Sequence, residues 1–187
     1  DEEFLEGVII TDDFSNGLDN WGISIDANSA AVVNADGQLE VTLNAGNKGG
    51  VIYPLLKKIV CNKQVAIEFD LKINGDTSTD FEAGFLLKNG STTVVNVGVR
   101  SGKLQAQYGS VGTTFANGTT YKVKVITDPK TKTIDIYVDN ARVAAGKGYL
   151  NSAVAWDSFQ LMIKGNNGSA PLSACFDNLS VSVVEES

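Results

Sequence analysis

Residues 66–73, Ala-Ile-Glu-Phe-Asp-Leu-Lys-Ile, are the stretch that decides the fold of this chain. Apolar residues at positions 67, 69, 71 and 73 alternate with more polar residues at 66, 68, 70 and 72. A period of two residues indicates a β-strand with one buried and one solvated face, and it does not fit the 3.6-residue period of a helix. We therefore predict a half-buried strand here.

The same alternation recurs further along the chain, in residues 95–100, 121–125 and 134–138. The chain has 19 glycines, many of them in turn-like pairs between such segments, and only 3 prolines. Many one-sided strands bury their apolar faces by pairing two antiparallel sheets face to face. We predict an all-β fold without helices, a two-sheet antiparallel β-sandwich. It forms a single domain over residues 1–187 with short acidic flanks at both ends.

Two hairpins and one longer turn follow from local sequence. Dipeptides that tolerate left-handed backbone favour two-residue turns between antiparallel strands. Ser101-Gly102 is expected to join residues 95–100 to 103–108, and Asp139-Asn140 to join 133–138 to 141–144. Residues 128–132, which include Pro129, are expected to form a longer turn of the same kind.

Composition excludes several classes of function. The chain has 15 Lys and Arg against 22 Asp and Glu, a formal net charge of -7, so we expect no nucleic-acid partner. No apolar run approaches the roughly 20 residues of a membrane-spanning helix, so we expect no membrane insertion. The chain has no histidine, which removes the most common general base and every Ser-His or Cys-His nucleophile. A binding module, a structural domain and a carboxylate-driven enzyme remain.

A family resemblance is carried by both ends of the chain. Residues 11–21, TDDFSNGLDNW, and residues 174–181, ACFDNLSV, resemble the two ends of laminin G-like, or concanavalin-like, jelly rolls. Residues 121–143 are similar to a hairpin of that superfamily, with Asn140 in place of the usual turn glycine. Many such domains are carbohydrate-binding modules of secreted polysaccharide-degrading proteins. The resemblance implies a jelly roll and an extracellular or cell-surface location in a bacterium.

The resemblance also implies a metal ion. Jelly rolls of this kind often carry a structural calcium where the first and last strands meet, and calcium requires hard oxygen ligands. The matching positions are Asp12 and Asp13 in the opening motif and Asp177 in the closing one. The alternative is that these aspartates are strand-end residues that form local turns.

Sugar binding requires polar side chains for the hydroxyl groups and usually an aromatic platform for the apolar face of a pyranose. We predict a solvent-facing strip of polar residues on the strands joined by Ser101-Gly102. A tyrosine flanks this strip, and an exposed tryptophan provides the aromatic platform. The strip consists of Asn96, Arg100, Lys103, Gln105 and Gln107, the tyrosine is Tyr137, and the tryptophan is Trp156, with Tyr108, Tyr149 and Tyr53 as further aromatics. Trp21 is expected to lie in the core.

The same fold also occurs in two classes of enzyme, retaining glycosidases and polysaccharide lyases. A retaining glycosidase needs two carboxyl groups about 5–5.5 Å apart. Retaining β-glucanases of this fold carry both carboxyl groups on one face of one strand. Glu68 could supply the first, but the position of the second is occupied by Lys72, so Glu82 on another strand is the remaining candidate. A polysaccharide lyase could use a set of basic and tyrosine side chains predicted to share one sheet face: Arg100, Lys122, Lys124 and Tyr137. The lyase signature peptides are absent.

The sequence therefore favours a non-catalytic carbohydrate-binding module that tethers a secreted or surface protein to a polysaccharide or oligosaccharide. An adhesion or surface-scaffold domain with protein contacts is the first alternative, and a glycoside hydrolase or polysaccharide lyase is the second. We expect the module to be part of a larger multidomain chain. Cys61 and Cys175 are expected to be free thiols, although a bridge between them is possible if their strands are neighbours.

Overall fold

The alternating segments form strands in the computed structural model, which describes residues 8–55 and 60–184. The predicted acidic flanks lie outside the described residues, and a single domain over the full chain stays a prediction. The described ranges contain fifteen strands, numbered β1 to β15 in chain order, and no helix. No helix in these ranges is therefore long and apolar enough to cross a membrane.

Two antiparallel sheets contain all fifteen strands. The eight-stranded sheet consists of β1 (Val8–Asp12), β3 (Ala30–Val33), β4 (Leu39–Leu43), β6 (Val65–Asn74), β11 (Thr120–Asp128), β12 (Thr133–Val138), β13 (Ala141–Gly148) and β15 (Leu172–Val183). The seven-stranded sheet consists of β2 (Trp21–Ser24), β5 (Gly49–Pro54), β7 (Glu82–Asn89), β8 (Thr92–Arg100), β9 (Lys103–Ala106), β10 (Gly109–Thr114) and β14 (Ser158–Lys164).

The core lies between the two sheets. Along β6 every second residue is buried, and the intervening residues are partly exposed, which confirms the alternation predicted for this segment. The Phe69 ring on β6 meets the Phe85 ring on β7 edge to face, with ring centroids 5.9 Å apart. This contact joins the two sheets across the core, where each buried phenylalanine contributes roughly 1.5–3 kcal/mol. The predicted all-β sandwich is confirmed.

The order of strands within the sheets brings distant segments together. The eight-stranded sheet runs β13-β12-β11-β6-β15-β4-β3, with β1 also paired to β15. The seven-stranded sheet runs β10-β9-β8-β7-β14-β5-β2. As a result, β14 pairs with β7, which in turn pairs with β8, so β14 lies two strands away from β8 although it is far from both in sequence. The candidate site lies on these three adjacent strands, β8, β7 and β14.

Both predicted hairpins are present. Ser101 and Gly102, with φ of 50° and 75°, connect β8 to β9, and Asp139 and Asn140, with φ of 48° and 68°, connect β12 to β13. Left-handed backbone at both central residues is typical of the type I′ turn. Asn140 therefore provides the conformation for which related hairpins use glycine.

Strand β8 departs from the predicted pattern. Val95, Val97 and Val99 are buried in the core as expected, but Asn96 and Gly98, expected to face solvent, are buried as well. The prediction of a solvated face on this strand was therefore wrong for its central residues. Alternation within one strand identifies the inner face but does not reveal what covers the outer one.

Other predictions about buried groups hold. Trp21 lies in the core, and both cysteines are free and buried. Burial raises the pKa of Cys61 and raises that of Cys175 to about 12. The Cys175 thiol on β15 donates to Glu40 Oε2 at 3.3 Å, and this contact also raises its pKa. Both thiols are therefore protonated at neutral pH.

Candidate functional site

The outer face of the seven-stranded sheet is the side that points away from the core. On β7, Ala83, Phe85 and Leu87 are core residues, so Glu82, Gly84, Leu86 and Lys88 project outward. Pairing register extends this assignment to the neighbouring strands. The outer face then also includes Tyr53, Asn96, Arg100, Lys103, Gln105, Gln160, Met162 and Lys164.

One row across this face carries two carboxamides. Gln160 on β14 lies opposite Leu86 on β7, and Leu86 lies opposite Asn96 on β8. We call Gln160, Leu86 and Asn96 the amide row. With strands about 4.8 Å apart, its two carboxamide residues are separated by about 10 Å of sheet.

The amide row contains buried polar atoms without a partner. Asn96 is only 1% exposed, and neither its Oδ1 nor its Nδ2 has a hydrogen-bond partner among the described residues. Gln160 Oε1 is likewise buried and unpartnered in the described chain, although the residue as a whole is half-buried. An unpaired buried polar group costs about 1–3 kcal/mol, so a native fold retains it only when something else offsets the cost.

The next row is formed by bare backbone. Gly84 on β7 lies opposite Gly98 on β8, between Met162 on one side and Gln105 on the other. A Cβ at Gly84 would clash with the carbonyl oxygen of Val97, so no larger residue fits without a shift of the strands. The centre of the outer face therefore has two adjacent strand positions without side chains.

A third row carries charge. Lys164, Glu82, Arg100 and Lys103 lie side by side on β14, β7, β8 and β9, and we call them the cation row. Arg100 donates from Nε and Nη2 to the Asp80 carboxylate, at 2.7 and 3.2 Å. Burial raises the pKa of Glu82, although the charges of Lys164 and Arg100 act in the opposite direction.

Gln107, predicted as a sugar ligand, has a structural role. Its Oε1 accepts a hydrogen bond from the backbone N–H of Asn96 at 2.8 Å, and its Nε2 donates to the carbonyl oxygens of Val94 and Gly148. These three bonds connect the end of β9 to β8 and to the end of β13. The Gln107 carboxamide is therefore already engaged. Gln105 is half-buried beside Gly98.

Tyr137 and Trp156 do not lie where the sequence suggested. Tyr137 lies on β12 of the eight-stranded sheet, so it cannot flank a strip on the seven-stranded one. Trp156 is only 3% exposed and is bridged through its backbone to Cys61, so the expectation of an exposed platform was wrong. Asn96, Arg100 and Gln105 are the predicted ligand residues that do share the outer face.

Neither predicted catalytic set is assembled on one face. Glu68 projects from the outer face of the eight-stranded sheet and Glu82 from that of the seven-stranded sheet, so the core separates them. The lyase set is divided in the same way, because Arg100 lies on β8 whereas Lys122, Lys124 and Tyr137 lie on β11 and β12. The expectation that these four residues share a sheet face was wrong.

Two of the predicted calcium ligands, Asp12 and Asp13, lie at the first loop, and the third, Asp177, lies on β15. A polar pocket of about 370 Å³ at the first loop is lined by Thr11, Asp12, Asp13, Asn16, Gly17, Asp19 and Asn20. The Asp12 carboxylate accepts the backbone N–H of Phe14 and the indole N–H of Trp21, both at 2.7 Å. It therefore anchors the loop to the core.

Asp13 and Asp177 have opposite electrostatic environments. The Ser15 hydroxyl and backbone N–H lower the pKa of Asp13. Burial raises the pKa of Asp177, and the charges of Asp70 and Asp13 raise it further. Residues 8–55 and 60–184 contain no group of three His, Cys, Asp or Glu side chains arranged to hold a metal. Asp12, Asp13 and Asp177 therefore do not form such a group, and calcium binding by these residues stays a prediction.

Sequence reasoning missed Gln160 and gave Tyr53 only as a further aromatic. Tyr53 on β5 is 37% exposed, and its ring lies over Gly22 of β2, where a side chain would collide with it. The register of β14 with β5 places Tyr53 beside Gln160. Gln160 lies between Phe159 and Leu161, which are both buried, so neighbouring residues indicate its outward direction, whereas nothing in the local sequence indicates its proximity to Asn96.

Comparisons with known proteins define the fold. No family model matches the chain, and no curated protein matches it. A solved sialidase is similar with a TM-score of 0.78 and 16% identity, over 96% of this chain and 19% of that one. Cellulose induced protein Cip1 has a TM-score of 0.67 and 12% identity, over 92% of this chain and 96% of that one. An alginate lyase of polysaccharide lyase family 7 has a TM-score of 0.64 and 12% identity, over 87% of this chain and 85% of that one.

These similarities confirm the predicted jelly-roll fold of the chain. The identities are too low to carry more than the fold. The chain also spans only 19% of the length of the sialidase, so it corresponds to one part of that protein.

Proposed function

We propose that this protein is a non-catalytic carbohydrate-binding module of a secreted or surface-attached protein, and that it binds glycan on the outer face of the seven-stranded sheet. The structural neighbours include a sialidase and an alginate lyase, so this fold serves proteins that act on glycans. Fold likeness alone assigns no site, and the location comes from the side chains.

The unpartnered carboxamides of the amide row carry the proposal. A sugar hydroxyl both donates and accepts hydrogen bonds, which matches Asn96, whose Nδ2 donor and Oδ1 acceptor are both free among the described residues. Gln160 adds a free acceptor on the same row. The Asn96 amide is covered in this structure, so a ligand reaches it only after neighbouring side chains shift.

Tyr53 provides the apolar surface that a pyranose ring needs. Its ring is exposed at the β5 end of the amide row and lies flush against backbone at Gly22. A stacked aromatic contributes about 0.5–1.5 kcal/mol beyond area burial. With a few hydrogen bonds this gives micromolar to millimolar affinity, roughly -8 to -4 kcal/mol. Such affinity is useful when a tether raises the effective concentration.

Three observations favour binding over cleavage. The chain has no histidine to act as general base, and the carboxylates Glu68 and Glu82 project from opposite sides of the sandwich. On the proposed face, Arg100 is engaged by Asp80 at 2.7 Å. A polysaccharide lyase would release unsaturated products from alginate or pectate, and their detection with the purified protein would replace the binding proposal with an enzymatic one.

A glycan array followed by paired variants tests the proposal. Tyr53→Ala and Gln160→Ala are expected to weaken binding to any glycan retained on the array by about three- to tenfold each. Tyr137→Ala serves as the matched control, since Tyr137 projects from the outer face of the other sheet. Equal losses in Tyr53→Ala and Tyr137→Ala would show that the face is wrong. If the wild-type protein binds no glycan on the array, the binding proposal is wrong and the adhesion alternative takes its place.

A further inference from the structure

The outer face of the seven-stranded sheet is positively charged on an acidic protein. Its strands present four cations outward, Lys88, Arg100, Lys103 and Lys164, against the carboxylate of Glu82. The Asp80 carboxylate pairs with Arg100, so the local net charge is +2. The whole chain carries a formal charge of -7. The positive charge is therefore local to the face where we place glycan binding.

Charges on the other sheet are arranged differently. On the outer face of the eight-stranded sheet, Lys122 lies opposite Asp70 and Lys124 lies opposite Glu68 in the β11–β6 register. Lys124 Nζ is 3.8 Å from the Glu68 carboxylate. Each of these lysines thus has a carboxylate as its direct cross-strand neighbour, as expected for a solvated face. In the cation row, three cations lie beside the one carboxylate of Glu82, and a second carboxylate, that of Asp80, pairs with Arg100 only.

The cations of this row are available to a ligand. Lys103 and Lys164 are exposed, and within the described residues neither amine lies within 4 Å of a carboxylate. Arg100 uses Nε and Nη2 for Asp80, which leaves its Nη1 group for a further acceptor. Glu82 is half-buried between Lys164 and Arg100, so it neutralises only part of the row.

We infer that the ligand is an anionic polysaccharide, whose carboxylate or sulfate groups lie on the cation row while its hydroxyls reach the amide row. This inference rests on the proposed function and specifies its ligand class. The two rows are separated by one row of glycine backbone, Gly84 and Gly98. Because these glycines and Asn96 are buried, one bound chain contacts both rows after the side chains that cover them shift. A cationic face also attracts a polyanion from solution, an effect that falls as salt increases.

Paired charge-removal variants of the full chain provide the test. Lys103→Ala/Lys164→Ala and the control Lys122→Ala/Lys124→Ala remove the same charge from opposite faces. Affinity gel electrophoresis and calorimetry would use alginate and polygalacturonate as carboxylated probes, carrageenan as a sulfated probe, and a neutral β-glucan. Circular dichroism of each variant confirms that it is folded.

The expected result is binding to at least one anionic probe and not to the β-glucan, with affinity that falls as salt is added. The Lys103/Lys164 variant should bind about three- to tenfold more weakly than wild type, and the Lys122/Lys124 control should change less than twofold. Preference between alginate and carrageenan identifies the anionic group. Binding of the neutral β-glucan alone would overturn the anionic inference and leave the proposed function standing, whereas binding to none of the probes would overturn both.

Discussion

Replacing Asn96 by leucine is expected to stabilise the fold and to weaken glycan binding at the same time. Asn96 is 1% exposed, and both polar atoms of its side chain lack a partner in the described chain. Leucine is similar in shape to asparagine and leaves no polar atom unpaired. The substitution removes the cost of burying unpaired polar atoms and so stabilises the fold by about 1–3 kcal/mol. Any strain from packing the two methyl groups of leucine lowers this gain.

The assay is urea unfolding together with thermal unfolding. For a domain of 187 residues, 1 kcal/mol corresponds to about 2–4 °C in melting temperature, so Asn96→Leu is expected to melt about 2–8 °C higher. The m-value should not change, because wild type and variant expose the same surface on unfolding apart from one side chain. Glycan binding should fall by tenfold or more, since the donor and acceptor offered to the ligand are both lost.

Gln107→Met is the matched control. The Gln107 carboxamide makes three hydrogen bonds to backbone groups, whereas the Asn96 carboxamide makes none among the described residues. Losing these bonds is expected to lower stability by about 2–4 kcal/mol, the opposite sign to Asn96→Leu. If Asn96→Leu lowers stability as Gln107→Met does, the Asn96 amide is satisfied in the native fold, and the basis for placing a ligand there is lost.

Three further predictions concern the thiols and the first loop. Burial raises the pKa of Cys61 and raises that of Cys175 to about 12, so both are expected to resist iodoacetamide at pH 8 until the protein unfolds; rapid labelling of the folded protein would contradict this. Burial and nearby carboxylates raise the pKa of Asp177, so its ionised form destabilises the fold. With a chelator present, Asp177→Asn should therefore raise the melting temperature at pH 7, where Asp177 is ionised, but not at pH 3, where it is protonated. Equal shifts at the two pH values would refute the charge argument. Calcium added to chelator-treated protein should raise the melting temperature through the predicted ligands Asp12, Asp13 and Asp177, and no shift at millimolar calcium would remove that site.

The sequence by itself determined the fold class and much of the local geometry. Alternation in residues 66–73 placed Phe69 in the core, and Ser101-Gly102 and Asp139-Asn140 marked hairpins that the structure contains. These features were predictable because strand period and turn conformation depend on neighbouring residues along the chain. The resemblance at the two ends of the sequence supplied the jelly-roll topology, and the solved structures confirm it.

Only the tertiary structure decided which polar side chains share a face. Sequence reasoning selected Asn96 and Arg100 correctly as outward residues of β8 but paired them with Tyr137, which lies on the other sheet, and missed Gln160 two strands away. The period of two assigns inner and outer positions within a strand, but the identity of the neighbouring strand depends on how the two sheets pack. The burial of Asn96, and with it the unpaired amide that marks the site, follows from that packing and has no signature in the local sequence.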